Sequence, residues 1–370
     1  MLSSIPTQVK AAQKPVYVAL GDSIAAGYGL SGYESKKNAV APKSSYQSIV
    51  AKKLGADVIN DAVSGMTSAQ LLDLLQSGIL DQDLENADYV SVSIGSNDVL
   101  LPFMEMIAQS VGSTDSTEDA ILEKVNEMRS SGDLYQAIEK LNEIKAMMVN
   151  NETLNKAAHD FSAQFSDIMA EIKEKAPSAN IYVTNVYNPY NFSEISFLPL
   201  GTYAKPYIVE LNQAFQSDSK EYTLIDVYSA FQKGNYVNAN ATSDLNSMSL
   251  DPHPNVAGHK EIARLIYASM RDEVRPDKTT IKSITSTKKN VIKLSLKKVN
   301  DCDGIEIRYS TKADGTYSVL CTVEKTNATI ISKKLKAGKK YYVRAYAYNK
   351  LGSSMIYSKK SAMKMVVIAK

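Results

Sequence analysis

Val16-Tyr17-Val18-Ala19-Leu20-Gly21-Asp22-Ser23 is the stretch that decides the fold. An unbroken apolar run ending in Gly-Asp-Ser, followed by Ile24, Ala25, Ala26 and Gly27, predicts a buried strand that turns directly into a helix. A serine at that turn stands at the carboxyl end of a parallel strand, the edge where open α/β sheets bind ligands. Its backbone N–H lies at a helix N-terminus, which favours developing negative charge. The position suits a nucleophile, and it equally suits a plain helix N-cap.

Outward from that strand the pattern recurs. Short apolar or β-branched runs at 16–20, 57–60, 89–94, 181–185 and 223–227, separated by helical patterns, predict a parallel five-stranded sheet of flavodoxin-like count, covered by helices on both faces. Thr67-Ser68-Ala69-Gln70 has capping-box spacing, and Leu71, Leu72, Leu74 and Leu75 then form an apolar face closed by Gly78. Between Asp98 and the fourth run lies a long insertion. Its last helix is marked by Leu154, Ala158, Phe161, Phe165, Ile168 and Ile172. The earlier part, about 100–150, reads as a helical cap over a pocket or as a surface hairpin, with Leu101, Phe103, Met104, Met106 and Ile107 just beyond Asn97. Residues 187–207, rich in Tyr, Phe and Pro, are expected to be irregular and to form a second pocket wall. A final helix at 255–274 buries Ile262, Ile266 and Met270. Before it stands Asp251-Pro252-His253-Pro254, where the two prolines hold the histidine in an extended loop.

From Thr280 the periodicity changes to two. Runs at 291–296, 305–309, 317–323, 328–331 and 341–348, joined by Gly and Asn turns, predict a small all-β sandwich. Leu335-x-x-Gly338-x-x-Tyr341 has tyrosine-corner spacing, and the segment 280–370 resembles a fibronectin type III domain, though it contains no Trp.

The charge supports the same division. Residues 278–370 carry 21 basic and 5 acidic side chains, a net of +16, against −14 for residues 1–277. We therefore expect a tail at 1–14, an α/β domain at 15–275 and the sandwich at 280–370. At 370 residues the chain is long enough for one large core and a smaller module. No apolar run reaches bilayer-spanning length, so no transmembrane segment is expected. Val9-Lys10-Ala11-Ala12 is similar to the small-residue end of a secretory signal, or is simply part of a disordered tail. With the sandwich, it points to a secreted or cell-surface protein. The basic sandwich would attract an anionic cell-surface polymer, while nucleic acid is not expected. Cys302 and Cys321 are too few to fix a redox compartment, and whether they pair is left open.

Ester hydrolysis needs an activated nucleophile, a base that can return the proton to the leaving group, and donors aimed at the oxyanion. Ser23 follows the first strand, Gly65 the second, Asn97 the third, and His253 precedes the last helix. In a parallel sheet these strand ends share one edge. His259 and His159 offer no metal cluster, neither cysteine has zinc-motif spacing, and Asp22 and Asp98 read as structural.

The ordered set Gly21-Asp22-Ser23, Gly65, Gly95-Ser96-Asn97-Asp98 and Asp251-Pro252-His253-Pro254-Asn255 resembles the four blocks of the SGNH, or GDSL, hydrolase family. The resemblance implies a three-layer α/β/α serine esterase without a cofactor or metal. Ser23 would be the nucleophile and His253 the base, and the oxyanion hole would be built from the backbone N–H groups of Ser23 and Gly65 and the Asn97 amide. That family usually places its acid three residues before the histidine, where this chain has Leu250. Asp251, two before, is the candidate acid, and a Ser-His dyad oriented by a backbone carbonyl is the alternative. The substrate class implied is an ester, either lipid-like or an acylated glycan, so the activity is expected to be that of a lipase or esterase or of a carbohydrate O-acetylesterase. A non-catalytic cell-surface binding protein is the reading of a different class.

Overall fold

A computed structural model describes residues 14–35, 40–130, 134–191, 200–216, 221–240, 249–300, 302–324, 327–351 and 354–370. The expected tail and the middle of the 187–207 segment lie largely outside these residues. The chain divides into two compact units, Met1–Tyr267 and Ala268–Lys370.

In the first unit, β1 (Val16–Gly21), β2 (Asp57–Asn60), β3 (Tyr89–Ser93), β4 (Asn180–Thr184) and β5 (Thr223–Ile225) form one sheet in the order β2-β1-β3-β4-β5. Every pairing is parallel. The order reverses at β1, so the ends of β1 and β3 flank the crevice where doubly wound sheets place ligands. The strands read as continuous apolar runs because both faces are covered. Tyr17, Val18, Ala19, Leu20, Val90, Val92 and Val183 are all fully buried.

The helices follow in chain order: α1 (Ser23–Ala26), α2 (Tyr46–Leu54), α3 (Ser68–Gln76), α4 (Asp81–Glu85), α5 (Ser96–Ser110), α6 (Glu118–Ser130), α7 (Leu134–Met148), α8 (Glu152–Lys175), α9 (Leu200–Gln213), α10 (Val227–Phe231) and α11 (Val256–Glu273). α3 carries the expected capping box: the Thr67 hydroxyl accepts the Gln70 N–H, and the Gln70 side chain accepts the Thr67 N–H. On α8 the apolar stripe Leu154, Ala158, Phe161, Phe165, Ile168 and Ile172 is buried, each large side chain contributing about 1.5–3 kcal/mol.

Residues 200–207, expected to be irregular, form the first half of α9. Leu200, Ala204, Tyr207, Ile208 and Leu211 bury one helical face, and Pro206 sits on the exposed side, where its missing hydrogen bond is tolerated. Gly21 is required at the end of β1. Its φ is 129°, and a Cβ there would stand 1.9 Å from the Ser93 carbonyl oxygen of β3. That close approach brings the Asp22–Ser23 turn against the end of β3.

The second unit holds β6 (Ile281–Thr285), β7 (Val291–Leu296), β8 (Gly304–Ser310), β9 (Ser318–Val323), β10 (Asn327–Ile331), β11 (Lys340–Leu351), β12 (Ser354–Tyr357) and β13 (Lys364–Val367). They form a three-stranded sheet, β10-β7-β6, and a five-stranded one in which β12, β11, β8 and β9 are neighbours and β13 also pairs with β11. The tyrosine corner is present: the Tyr341 hydroxyl donates to the Lys334 carbonyl at 3.1 Å and accepts the Lys336 N–H at 3.0 Å. Without Trp, the core is filled by aliphatic side chains around Tyr341, among them Ile292, Ile307, Leu335 and Val343. Cys302 and Cys321 are both half-buried, and the Cys302 thiol donates to the Val299 carbonyl at 3.7 Å.

Candidate active site

Three turns carry the candidate residues to one end of the sheet. Asp22 N-caps α1 by accepting the Ile24 N–H at 2.9 Å, which fixes Ser23 as the first residue of that helix. Ser23 is nearly buried, with its Oγ 2.9 Å from His253 Nε2. His253 Nδ1 lies 2.5 Å from Asp251 Oδ1, and the same carboxylate oxygen accepts the His253 backbone N–H at 3.0 Å. Asp251 therefore reaches the ring from two residues away through a tight turn in which one oxygen serves both nitrogens. The acid is within reach at the spacing this chain has. Leu250, at the family's usual acid position, points into the core instead.

Nδ1 facing a carboxylate carries the ring proton, leaving Nε2 as the acceptor for the serine hydroxyl. Burial pushes the Asp251 carboxyl up. The hydrogen bonds from the His253 ring and backbone, with that from Asn238 Nδ2 to Oδ2 at 2.9 Å, outweigh it and hold the group below the usual carboxylate value. The Tyr28 ring lies against the imidazole at a tilt of 37°, with ring centroids 4.4 Å apart.

Asn97 is the second residue of α5, buried, and donates one amide hydrogen to the Met66 carbonyl at 2.9 Å. That bond fixes the amide plane and leaves its other hydrogen to a ligand. Gly65 follows β2 with φ 83°, in the exposed turn just before Met66. Among the described residues neither the Ser23 nor the Gly65 backbone N–H has a hydrogen-bond partner. Asp98 supports this side of the site: its carboxylate accepts the Ser68 N–H at 3.1 Å and the Ser68 hydroxyl, tying α5 to the start of α3.

Ser23, Asn97 and His253 open on a cavity of about 590 Å³, counting its mouth. Val99, Leu100 and Phe103 of α5 form one wall and Ala204, Ile208 and Leu211 of α9 the other, with Tyr187 and Tyr190 between them. The insertion and the 187–207 segment thus both supply wall residues, through α5, α9 and the short stretch after β4. Gly65 is not among the residues that line the cavity. His259 is fully buried and packs against Tyr46, with ring centroids 6.1 Å apart; burial, then the His253 charge, pulls its pKa down to about 4. His159 lies exposed on α8 beside Asp160 and does not line the cavity. Among the described residues no group of three or more His, Cys, Asp or Glu side chains is placed to hold a metal ion, and no helix is long and apolar enough to cross a membrane.

Tyr28, Asn238, Tyr187 and Tyr190 carry no individual signal in the sequence. Only the last two lay in a segment singled out for its aromatic content.

A model of the GDSL-like lipase/acylhydrolase family matches residues 19–261. The uncharacterized protein YpmR of Bacillus subtilis (strain 168) is 23% identical over 275 residues, covering 73% of this chain and 86% of that protein. Among solved structures, phospholipase A1 from Streptomyces albidoflavus NA297 is 20% identical with a TM-score of 0.44, covering 70% of this chain and 99% of that one. An extracellular lipase from Streptomyces rimosus is 18% identical with a TM-score of 0.44, covering 69% and 99%. An acetyl-xylooligosaccharide esterase variant from Geobacillus is 18% identical with a TM-score of 0.36, covering 69% and 93%.

Proposed function

Because the chain belongs to the GDSL-like lipase/acylhydrolase family, we propose that it hydrolyses carboxylic esters of apolar acyl groups, with Ser23 as the nucleophile of a covalent acyl-enzyme. The observation that carries this reading is the line of hydrogen bonds from Asp251 through His253 to Ser23 at the mouth of an apolar cavity.

Ser23 Oγ attacks the acyl carbon while His253 Nε2 takes its proton. The carbonyl π electrons move to oxygen, and the oxyanion is met by the Ser23 and Gly65 N–H groups and the Asn97 amide. His253 then gives the proton to the departing alkoxide as the ester C–O bond breaks. Water enters, loses a proton to His253 and cleaves the acyl-serine by the same route, returning the serine hydroxyl and a carboxylic acid. Asp251 holds the imidazole in the tautomer that can accept, and stabilises the imidazolium.

The cavity walls favour an apolar acyl chain over an acetyl group, since burying each methylene is worth about 0.8 kcal/mol. We further propose that the enzyme works outside the cell or at its surface, in keeping with its N-terminal composition and with a basic, fibronectin type III-like segment suited to an anionic polymer. Turnover of p-nitrophenyl esters from acetate to palmitate tests the substrate reading. A rise in kcat/KM beyond acetate is expected. A maximum at acetate, with acylated glycans turned over faster, would replace it with an O-acetylesterase. No turnover by folded protein would favour a binding protein.

A further inference from the structure

The loop that presents the acid and base is pinned from outside the site at Leu250. The Leu250 N–H donates to Glu118 Oε1 at 2.5 Å, across 132 positions of sequence. Its carbonyl accepts the Tyr190 hydroxyl at 3.1 Å, and its side chain, 2% exposed, is in the core. Two residues on, the Pro252 carbonyl accepts the Tyr187 hydroxyl at 2.7 Å. On the other flank the loop runs as a short antiparallel ribbon against 237–240, with the Asn238 N–H donating to the His253 carbonyl at 2.8 Å.

We propose that Glu118 and Tyr190 are positioning residues that clamp Leu250 from both sides and so set Asp251 against His253. Resting on the esterase reading, the clamp gives the helical insertion a role in the chemistry, because Glu118 is the first residue of α6. The clamp answers a specific need of this chain. With the acid only two residues before the base, one oxygen must serve both His253 nitrogens, so a small rotation at Leu250 or Asp251 lengthens the contact to Nδ1. A carboxylate acceptor makes a strong bond to an N–H, and Tyr190 meets the opposite edge of the same residue. Tyr190 is itself held: its ring stacks on Phe103 of α5, centroids 6.2 Å apart and nearly parallel. Glu118 touches no atom of the reacting set, so its effect must pass through the loop.

The test compares Glu118→Ala, Glu118→Gln, Tyr190→Phe and Asp119→Ala in the full chain, reading kcat and KM on one ester and the low-field NMR resonance of the His253 Nδ1 proton. Glu118→Gln keeps an oxygen acceptor. Asp119→Ala removes the neighbouring charge of the same helix end and leaves the bond in place. Glu118→Ala and Tyr190→Phe are expected to lower kcat about tenfold or more with KM within about twofold, and to broaden or shift the resonance, because small displacements of catalytic groups are costly. Glu118→Gln should stay within about threefold of wild type, and Asp119→Ala should match it. Wild-type kcat and an unchanged resonance in Glu118→Ala would overturn the clamp, as would equal losses in Glu118→Ala and Asp119→Ala. The resonance reads the loop whether or not the ester is turned over, so an inactive wild type would contradict the esterase reading alone.

Discussion

Asp251 holds His253 at two points with one atom: its Oδ1 accepts the backbone N–H at 3.0 Å and faces ring Nδ1 at 2.5 Å. The second oxygen is occupied by Asn238 Nδ2 at 2.9 Å, so the carboxylate cannot swing away without losing a partner on each side. Asp251→Asn would present an amide to Nδ1 and favour the tautomer with Nε2 protonated, which cannot take the serine proton. A fall in kcat of about 10²–10⁴-fold is expected in steady-state ester hydrolysis. A near-silent Asp251→Ala would mean that a dyad oriented by a backbone carbonyl operates instead.

Asn97→Ala removes the amide held by the Met66 carbonyl. If that amide meets the oxyanion, kcat should drop about 10²–10³-fold while KM changes little, because the interaction strengthens only as charge develops. A rise in KM at constant kcat would mean that Asn97 binds the ground state.

Ala204 is a small residue in the α9 wall of the cavity. Ala204→Phe would fill space opposite Phe103 and shorten the chain that fits. The ratio of kcat/KM for octanoate over acetate esters is expected to fall at least about tenfold, the scale of one misfitted methylene. An unchanged ratio in a variant that melts normally would place the acyl chain elsewhere.

Asp22 is fully buried; Oδ1 accepts the Ile24 N–H, and Oδ2 has no partner among the described residues. Burial pushes its pKa up to about 7, against opposing hydrogen bonds and the His253 charge. The folded protein therefore keeps a proton that the unfolded chain releases near pH 4. The stability linked to it is complete below about pH 4 and is lost as the pH rises to about 7. Asp22→Asn cannot ionise, so its Tm relative to wild type should climb across that window, by an amount corresponding to about 2–4 kcal/mol. A difference independent of pH would refute a neutral Asp22 carboxyl.

Much of this architecture was legible in the residues. A parallel strand buried on both faces reads as an unbroken apolar run, which is why β1 to β5 could be found, and Ser23 and Asn97, which follow β1 and β3, meet at one sheet edge by topology, whereas His253 reaches it from the loop before α11. Asp251 was visible as a candidate, but the turn that lets one oxygen serve both His253 nitrogens is a property of the folded loop. Glu118 left no signal at all, because its partner is a backbone N–H and no side-chain pattern records it. The α9 start was hidden by Pro206 and the surrounding aromatics, which imitate a loop until the solvent side of the helix is known. In the second unit, β6, β12 and β13 went unmarked because they are short and interrupted by Lys and Ser.

In the proposed mechanism Ser23 is made nucleophilic by His253 and Asp251. Mass spectrometry of the protein after incubation with a fluorophosphonate, with ester turnover followed in parallel, tests that activation. One adduct is expected, on the peptide containing Ser23, forming as turnover disappears, with no adduct in Ser23→Ala and turnover there reduced about 10⁴-fold or more. An adduct on another serine, or turnover that survives Ser23→Ala, would contradict it.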